Sequence, residues 1–289
     1  MTQLNEPLSQ LSLLFVSASM GFLAIALMLF SFQLAKLSKS ESAPDEISKL
    51  ESIAFWITGL ATLILGVGVV MRGIAANRVP WANMYEFAIS AAFLILLVYL
   101  TSLKIKDLRF VATFVVAFSL VTLFASVSLF YVEVKTIMPA LQSYWLVIHV
   151  VVAVLATAFF TIAAALHISY LIKAGNIGQK VMRFFPTLEK LERYAYRFNV
   201  VGFVLWSFTL IAGAIWAERA WHRYWGWDTK EVWTFIIWVL YAGYLHAMAT
   251  RGWNGKRAAW LGLIAFLSVI FNFTIVNLFF KGLHVYSGL

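Results

Sequence analysis

Eighteen residues, Trp216 to Trp233, hold five of the chain's twelve tryptophans, interleaved with Arg219, His222, Arg223, Asp228, Lys230 and Glu231. Each tryptophan presents a large apolar face and one N–H that needs a partner. Beside apolar helical segments such a cluster has two readings. Rings at headgroup level form an aromatic belt; rings converging from one loop form a platform for a flat aromatic ligand. A belt needs scattered rings on separate helices. Five in one stretch, with an Asp-Thr-Lys-Glu run, favour the platform.

The five histidines are the other residues suited to chemistry. His149 opens one apolar segment, His284 follows the last one, and His222 lies within the tryptophan run, whereas His167 and His246 fall inside apolar segments. A single interfacial histidine is ordinarily solvated or caps a helix. Two of them at the ends of different helices, beside a platform, fit the two faces of one haem iron. An ionisable residue inside a span is a functional candidate by default. His246 has Ala242 and Gly243 one turn back, which leaves room on its face; His167 similarly has Ala163 and Ala164. The chain has no cysteine, so it supplies no disulfide, thiolate ligand or thiol nucleophile.

These residues need elements to position them. The 289 residues are 62% hydrophobic and 12% charged, with mean hydropathy +0.86. A soluble domain lies near about 45–50% apolar, so this is an all-α integral membrane protein. Eight segments reach the ~20 apolar residues that a spanning helix needs: Leu11–Leu34, Ile53–Ala76, Met84–Leu103, Phe110–Phe130, Trp145–Ile172, Phe198–Trp216, Val232–Thr250 and Ala258–Phe280. Lys36–Glu51 reads as a solvated linker. Gly175–Arg197, with Lys180, Arg183, Lys190, Arg193 and Arg197 beside Phe184, Phe185 and Leu188, reads as a basic amphipathic helix on an anionic leaflet. No repeat or second domain is visible, so residues 1–289 form a single polytopic domain. Met1–Gln10 has no Lys or Arg, unlike a signal peptide, so the first apolar run is expected to be retained.

Eight spans put both termini on one side. Of the 22 Lys and Arg residues, 15 lie in one set of loops and 7 in the other. The richer set is cytoplasmic by the positive-inside rule, so the tryptophan loop and both termini are extracytoplasmic. The net charge of +9 then belongs to loops and juxtamembrane segments and forms no basic domain for nucleic acid. Glu86 in the polar entry Arg78–Phe87 needs a partner at membrane depth, a neighbouring Arg among the candidates. Asn272, Thr274 and Asn277 are polar in the last span, and Asn277 shares a face with His284 if the helix continues. Asparagines in spans ordinarily bond between helices.

Trp221-His-Arg-Tyr-Trp225-Gly-Trp227-Asp228-Thr-Lys230-Glu231-Val-Trp233 resembles the WWD signature of haem-handling proteins. Its Trp-Asp-x-Lys-Glu-x-Trp ending resembles the CcsA/ResC family of system II cytochrome c biogenesis. Val79–Phe87 resembles that family's Pro-x-x-Asn-x-Tyr-Glu segment, and Asn277–Tyr286 its Gly-Leu-His-x-Tyr ending. The likeness runs from about residue 55 to the C-terminus.

The resemblance implies a protein that receives haem b and presents it at the extracytoplasmic face. There two cysteines of an apocytochrome c Cys-x-x-Cys-His motif form thioethers with the vinyl groups. It implies His149 and His284 as ligands of an outer haem iron. His246 is implied as an intramembrane ligand whose partner histidine comes from a CcsB/ResB-type protein. Trp221, Trp225, Trp227, Asp228 and Trp233 form the haem-binding signature. No catalytic residue is needed from this chain, because the thiols belong to the substrate. Arg223 and Lys281 are candidate cations for the propionates. Apocytochrome c, a thioredoxin-like thiol reductant and the bilayer complete the implied partners. The implied location is a bacterial cytoplasmic membrane or a thylakoid membrane. Two positions depart from the family pattern: Thr229 stands where Pro is usual, and His222 where Gly is usual. The alternatives are a non-haem small-molecule transporter, a haem handler of the system I pathway and a purely structural subunit; a transporter or a scaffold would show no haem absorption.

Overall fold

The structure, a computed structural model, describes residues 5–40, 48–135, 143–250, 253–280 and 282–283. Its elements are α1 (Glu6–Lys39), α2 (Lys49–Ala76), α3 (Met84–Ser102), α4 (Ala112–Leu129), α5 (Tyr144–Ala174), the one-turn α6 (Gln179–Met182), α7 (Leu188–Trp221), α8 (Thr229–Ala249), α9 (Lys256–Phe271) and the short α10 (Asn277–Phe279). A π turn, Asn272–Val276, joins the last two. Among the described residues eight helical segments are long and apolar enough to cross a membrane, and all eight expected spans are present.

The helix pairs fit together through small residues, the usual means of close approach between spans. On α1, Ser12 donates to the Gly68 carbonyl of α2 at 2.7 Å and Ser19 to that of Ala61 at 2.9 Å. On α7, Gly202 and Gly213 receive Phe160 and His149 of α5, where a Cβ would meet the rings at 2.5 and 2.7 Å. Both pairs are eleven residues apart on their helices, about three turns, so one antiparallel register seats Phe160 and His149 together.

Two features differ from the sequence expectation. The basic segment ending at Arg197 is not a separate surface helix: α6 is a single turn, and residues from Leu188 continue into the sixth span as one 34-residue helix. Thr187, just after Pro186, accepts from Lys190 N as the N-cap, and Leu191 and Ala195 are buried against the bundle. A helix of that length is about 51 Å, well beyond a ~30 Å hydrocarbon core, so its first turns stand clear with their charges solvated. The last span is likewise not a continuous α-helix but widens at the π turn, a feature frequent at functional sites.

A buried ion network fixes the α2–α3 connection. Glu86 accepts from Arg72 Nε at 3.0 Å, from Arg78 at 2.5 Å and from the Ala82 amide at 2.9 Å. Arg72 also donates to Ser9 Oγ at 2.8 Å and to the Val132 carbonyl at 2.7 Å. Arg72 and Glu86 are fully buried, so every donor must find an acceptor. Asn83 caps α3 by accepting from the Glu86 amide at 2.9 Å. The network ties α1, α2, α3 and the chain after α4 together at one end of the bundle.

Candidate functional site

That same end holds a cavity of about 520 Å³, walled by α3, α4, α5, α7, α8, the π turn and the tryptophan loop. Its lining is mainly aliphatic and aromatic, with Trp81, Phe87, Trp206, Trp216 and Trp225 among the rings. The size falls within the about 300–1,000 Å³ of ligand sites that bury most of a small molecule.

His149 projects into this cavity from the second turn of α5. Its Nδ1 lies 2.9 Å from the Thr209 carbonyl oxygen of α7. A carbonyl only accepts, so Nδ1 carries the proton and Nε2 keeps its lone pair. The neighbouring Gly213 supplies the space. The Trp216 indole stacks against the imidazole at 6.1 Å and 23°, and is itself 1% exposed. An imidazole with its second nitrogen anchored to a backbone carbonyl is the arrangement that orients histidine metal ligands.

The signature residues divide into those that line the cavity and those that build its frame. Trp225 lines it, with Trp227 edge-on at 5.9 Å. Trp227 is 74% exposed and takes φ +57°, an outlier for a bulky residue of the kind that collects at functional sites. Trp221 packs edge-on against Trp216 at 4.8 Å, and Trp233 packs on Phe271 at 4.4 Å; neither lines the cavity. Asp228 is the N-cap of α8, accepting from Lys230 N at 2.8 Å, while the Glu231 carboxylate folds back onto the Asp228 amide at 3.1 Å and the Gly226 amide at 2.7 Å. This is a capping box written in the signature itself. The second Asp228 oxygen accepts from the Leu283 amide at 2.7 Å, so the same carboxylate holds the chain that leads to His284. His284 and Lys281 lie outside the described residues.

The other histidines are elsewhere. His222 ends α7 in the left-handed region, φ +56°, where helices usually place glycine; it is exposed and does not line the cavity. His167 is buried, accepts from the Asn199 amide at 3.0 Å and packs on Gly262, which marks it as a satisfied core residue. His246 is exposed on α8, one turn beyond Gly243 and in line with Phe235 and Val239. The structure therefore does not bring His246 to the His149 cavity. It faces away from the bundle.

Of the cations, Arg223 folds over Gly226 and lies 3.9 Å from Glu231, outside the cavity lining. Among the described residues Lys230 is the cation that lines the cavity, whereas the sequence named Arg223 and Lys281 as candidate cations and Lys230 only as part of the signature. A lysine in a polar loop reads as solvated, and the partners that turn this one inward lie more than forty residues away, at Asn272 and Asn277. Asn277 is the interhelical hydrogen-bonder expected of it.

Eight helices long and apolar enough to span a membrane, enclosing an apolar cavity at one end that an anchored imidazole enters, define a polytopic membrane protein. A family model described as Cytochrome C assembly protein matches residues 81–284. The chain is 32% identical over 302 residues to Cytochrome c biogenesis protein CcsA of Guillardia theta, covering 94% of this chain and 96% of that one. It is 32% identical over 249 residues to the protein of that name from Chlamydomonas reinhardtii, covering 83% and 70%. To that from a strain of Prochlorococcus marinus it is 28% identical over 299 residues, covering 93% of each. The solved structure of Cytochrome c Heme Lyase CcmF shares the fold, with TM-score 0.69 at 17% identity over 94% of this chain; this chain spans 47% of that one. The chain belongs to the cytochrome c assembly protein family, as a multi-pass membrane protein of cytochrome c biogenesis.

Proposed function

We propose that this protein takes up haem b and presents it at the extracytoplasmic face for thioether attachment to apocytochrome c, with the tryptophan-loop end outermost. The observation that carries the reading is the His149 imidazole, fixed by the Thr209 carbonyl at 2.9 Å so that Nε2 is an electron-pair donor inside an apolar cavity. The residues present suit a porphyrin: aromatic and aliphatic walls for the ring, one oriented imidazole for the iron, and a cation nearby. His284 would be the second histidine to hold the iron. Asp228 supports it by holding the Leu283 amide.

When bound, the haem supplies the vinyl carbons that cysteine thiols of the substrate add to. This chain's own part is to bind, orient and exclude water. Trp216 stacks on the His149 imidazole, Trp225 lines the cavity, and Trp227, edge-on to Trp225, stands exposed where an incoming polypeptide would meet it. Positioning of this kind can supply most of a barrier reduction without any catalytic side chain. His246, exposed beside Gly243, is the half-site for a second haem completed by a histidine of a CcsB/ResB-type partner. The 15-to-7 split of Lys and Arg supports the orientation.

Holocytochrome c yield tests the reading. His149→Ala should abolish it, and added imidazole should recover part, because a small neutral nitrogen donor can replace the lost ligand. Full yield in His149→Ala would overturn the assignment. A reporter inserted at 224 should be active only outside, and one at 178 only inside; activity of both on one side would overturn the orientation.

A further inference from the structure

The cavity has one charged corner. Lys230, in the first turn of α8, donates from Nζ to the Asn272 carbonyl at 2.7 Å and to Asn277 Oδ1 at 2.9 Å. Asn272 opens the π turn, where the regular helical ladder is disturbed, and its carbonyl is there to accept from another helix. Asn277 is held in turn, donating from Nδ2 to the Phe273 carbonyl at 2.8 Å. Lys230, Asn272 and Asn277 all line the cavity.

An ammonium has three N–H donors, and two are used. Among the described residues the third has no acceptor, and Lys230 lines the cavity. The Asn272 side chain is 5% exposed, and among the described residues its Oδ1 has no partner. Rotating that amide exchanges oxygen for NH₂ with no change of shape and gives a second donor beside the lysine. Glu231 lines the same cavity; its Oε2 accepts from the Gly226 and Asp228 amides and lies 3.9 Å from Arg223, while its Oε1 has no partner among the described residues. A carboxylate arriving here would find a charge-assisted hydrogen bond in a mainly apolar setting, where such bonds are strong.

We propose that Lys230 anchors a carboxylate of the porphyrin held in this cavity, with Asn272 and Asn277 positioning its ammonium. The inference rests on the cavity being the haem site, and it deepens that reading by assigning the cation that recognises the acid side chains. A lysine that only pinned the π turn would be indifferent to whether the ligand's acid groups are free or esterified.

The full-length protein, purified in detergent, should be titrated with haem and with haem dimethyl ester, following tryptophan quenching and the Soret band. The wild type is expected to bind haem about tenfold more tightly than the diester, the scale of one hydrogen bond to a charged group. In Lys230→Met that ratio should fall to about one through loss of haem affinity, with the diester unaffected. Asn272→Asp keeps the lysine but occupies it with a neighbouring carboxylate, and should lose the ratio too; it carries the test if Lys230→Met fails to fold. A tenfold ratio persisting in Asn272→Asp, or in a folded Lys230→Met, overturns the assignment. Equal binding of both porphyrins by the wild type overturns it while leaving the haem site standing. Binding of neither overturns the haem site and the anchor together.

Discussion

The His149 imidazole lies on the backbone of Gly213, where a Cβ would come within 2.7 Å of its Cε1, and its Nδ1 donates to Thr209 one turn earlier on the same helix. Glycine at 213 is therefore what lets the ring reach that carbonyl. Gly213→Leu should displace the imidazole and lower holocytochrome c yield roughly tenfold or more, as misplacement of a positioned group does. Gly59→Leu, where a Cβ meets nothing within 4 Å, should not. Equal yields from the two variants would contradict the seat.

His222 occupies a left-handed C-cap, exposed and away from the cavity. His222→Gly should raise the unfolding temperature slightly, since a left-handed non-glycine residue costs about 1–2 kcal/mol, and should leave cytochrome maturation intact. Loss of maturation would mean that this imidazole acts on the ligand.

Asp228 caps α8 and tethers Leu283 with its two oxygens. Asp228→Ala removes both contacts and should lower stability by about 1 kcal/mol for the cap alone. Its effect on haem should be larger than its effect on melting, because the tether leads to the residue before His284. Asp228→Asn keeps an acceptor and should fall between wild type and Asp228→Ala in thermal unfolding and haem content. A variant with normal haem content but reduced stability would reduce Asp228 to a helix cap.

Glu86 places one carboxylate between Arg72 and Arg78. Glu86→Gln leaves the fully buried Arg72 without its counter-charge, at a cost of about 3–5 kcal/mol, and should cut membrane accumulation sharply. Adding Arg72→Met should restore part of it, read by thermal unfolding of both variants in detergent.

The spans and the signature were legible in the sequence because each is written in contiguous residues: long apolar runs, and a tryptophan cluster ending in Asp-Thr-Lys-Glu. What contiguity does not carry was missed. Pro186-Thr187 marked the start of α7, yet the basic residues that follow face solvent and disguised its first turns as a separate surface helix. The π turn has no periodicity of its own, and without it Lys230 has no visible reason to turn inward. The tryptophans of the 216–233 cluster read alike in the chain, but only the fold separates Trp216 and Trp225, on the cavity, from Trp221 and Trp233, which brace the protein itself.

The most direct measurement is the absorption spectrum of the purified protein and of His149→Gly, each reduced with dithionite, with and without imidazole. Sharp low-spin haem bands are expected in the wild type, with their loss or conversion in His149→Gly and their return when imidazole is added. An unchanged spectrum and haem content in His149→Gly would contradict the claim that this cavity and this imidazole hold the iron.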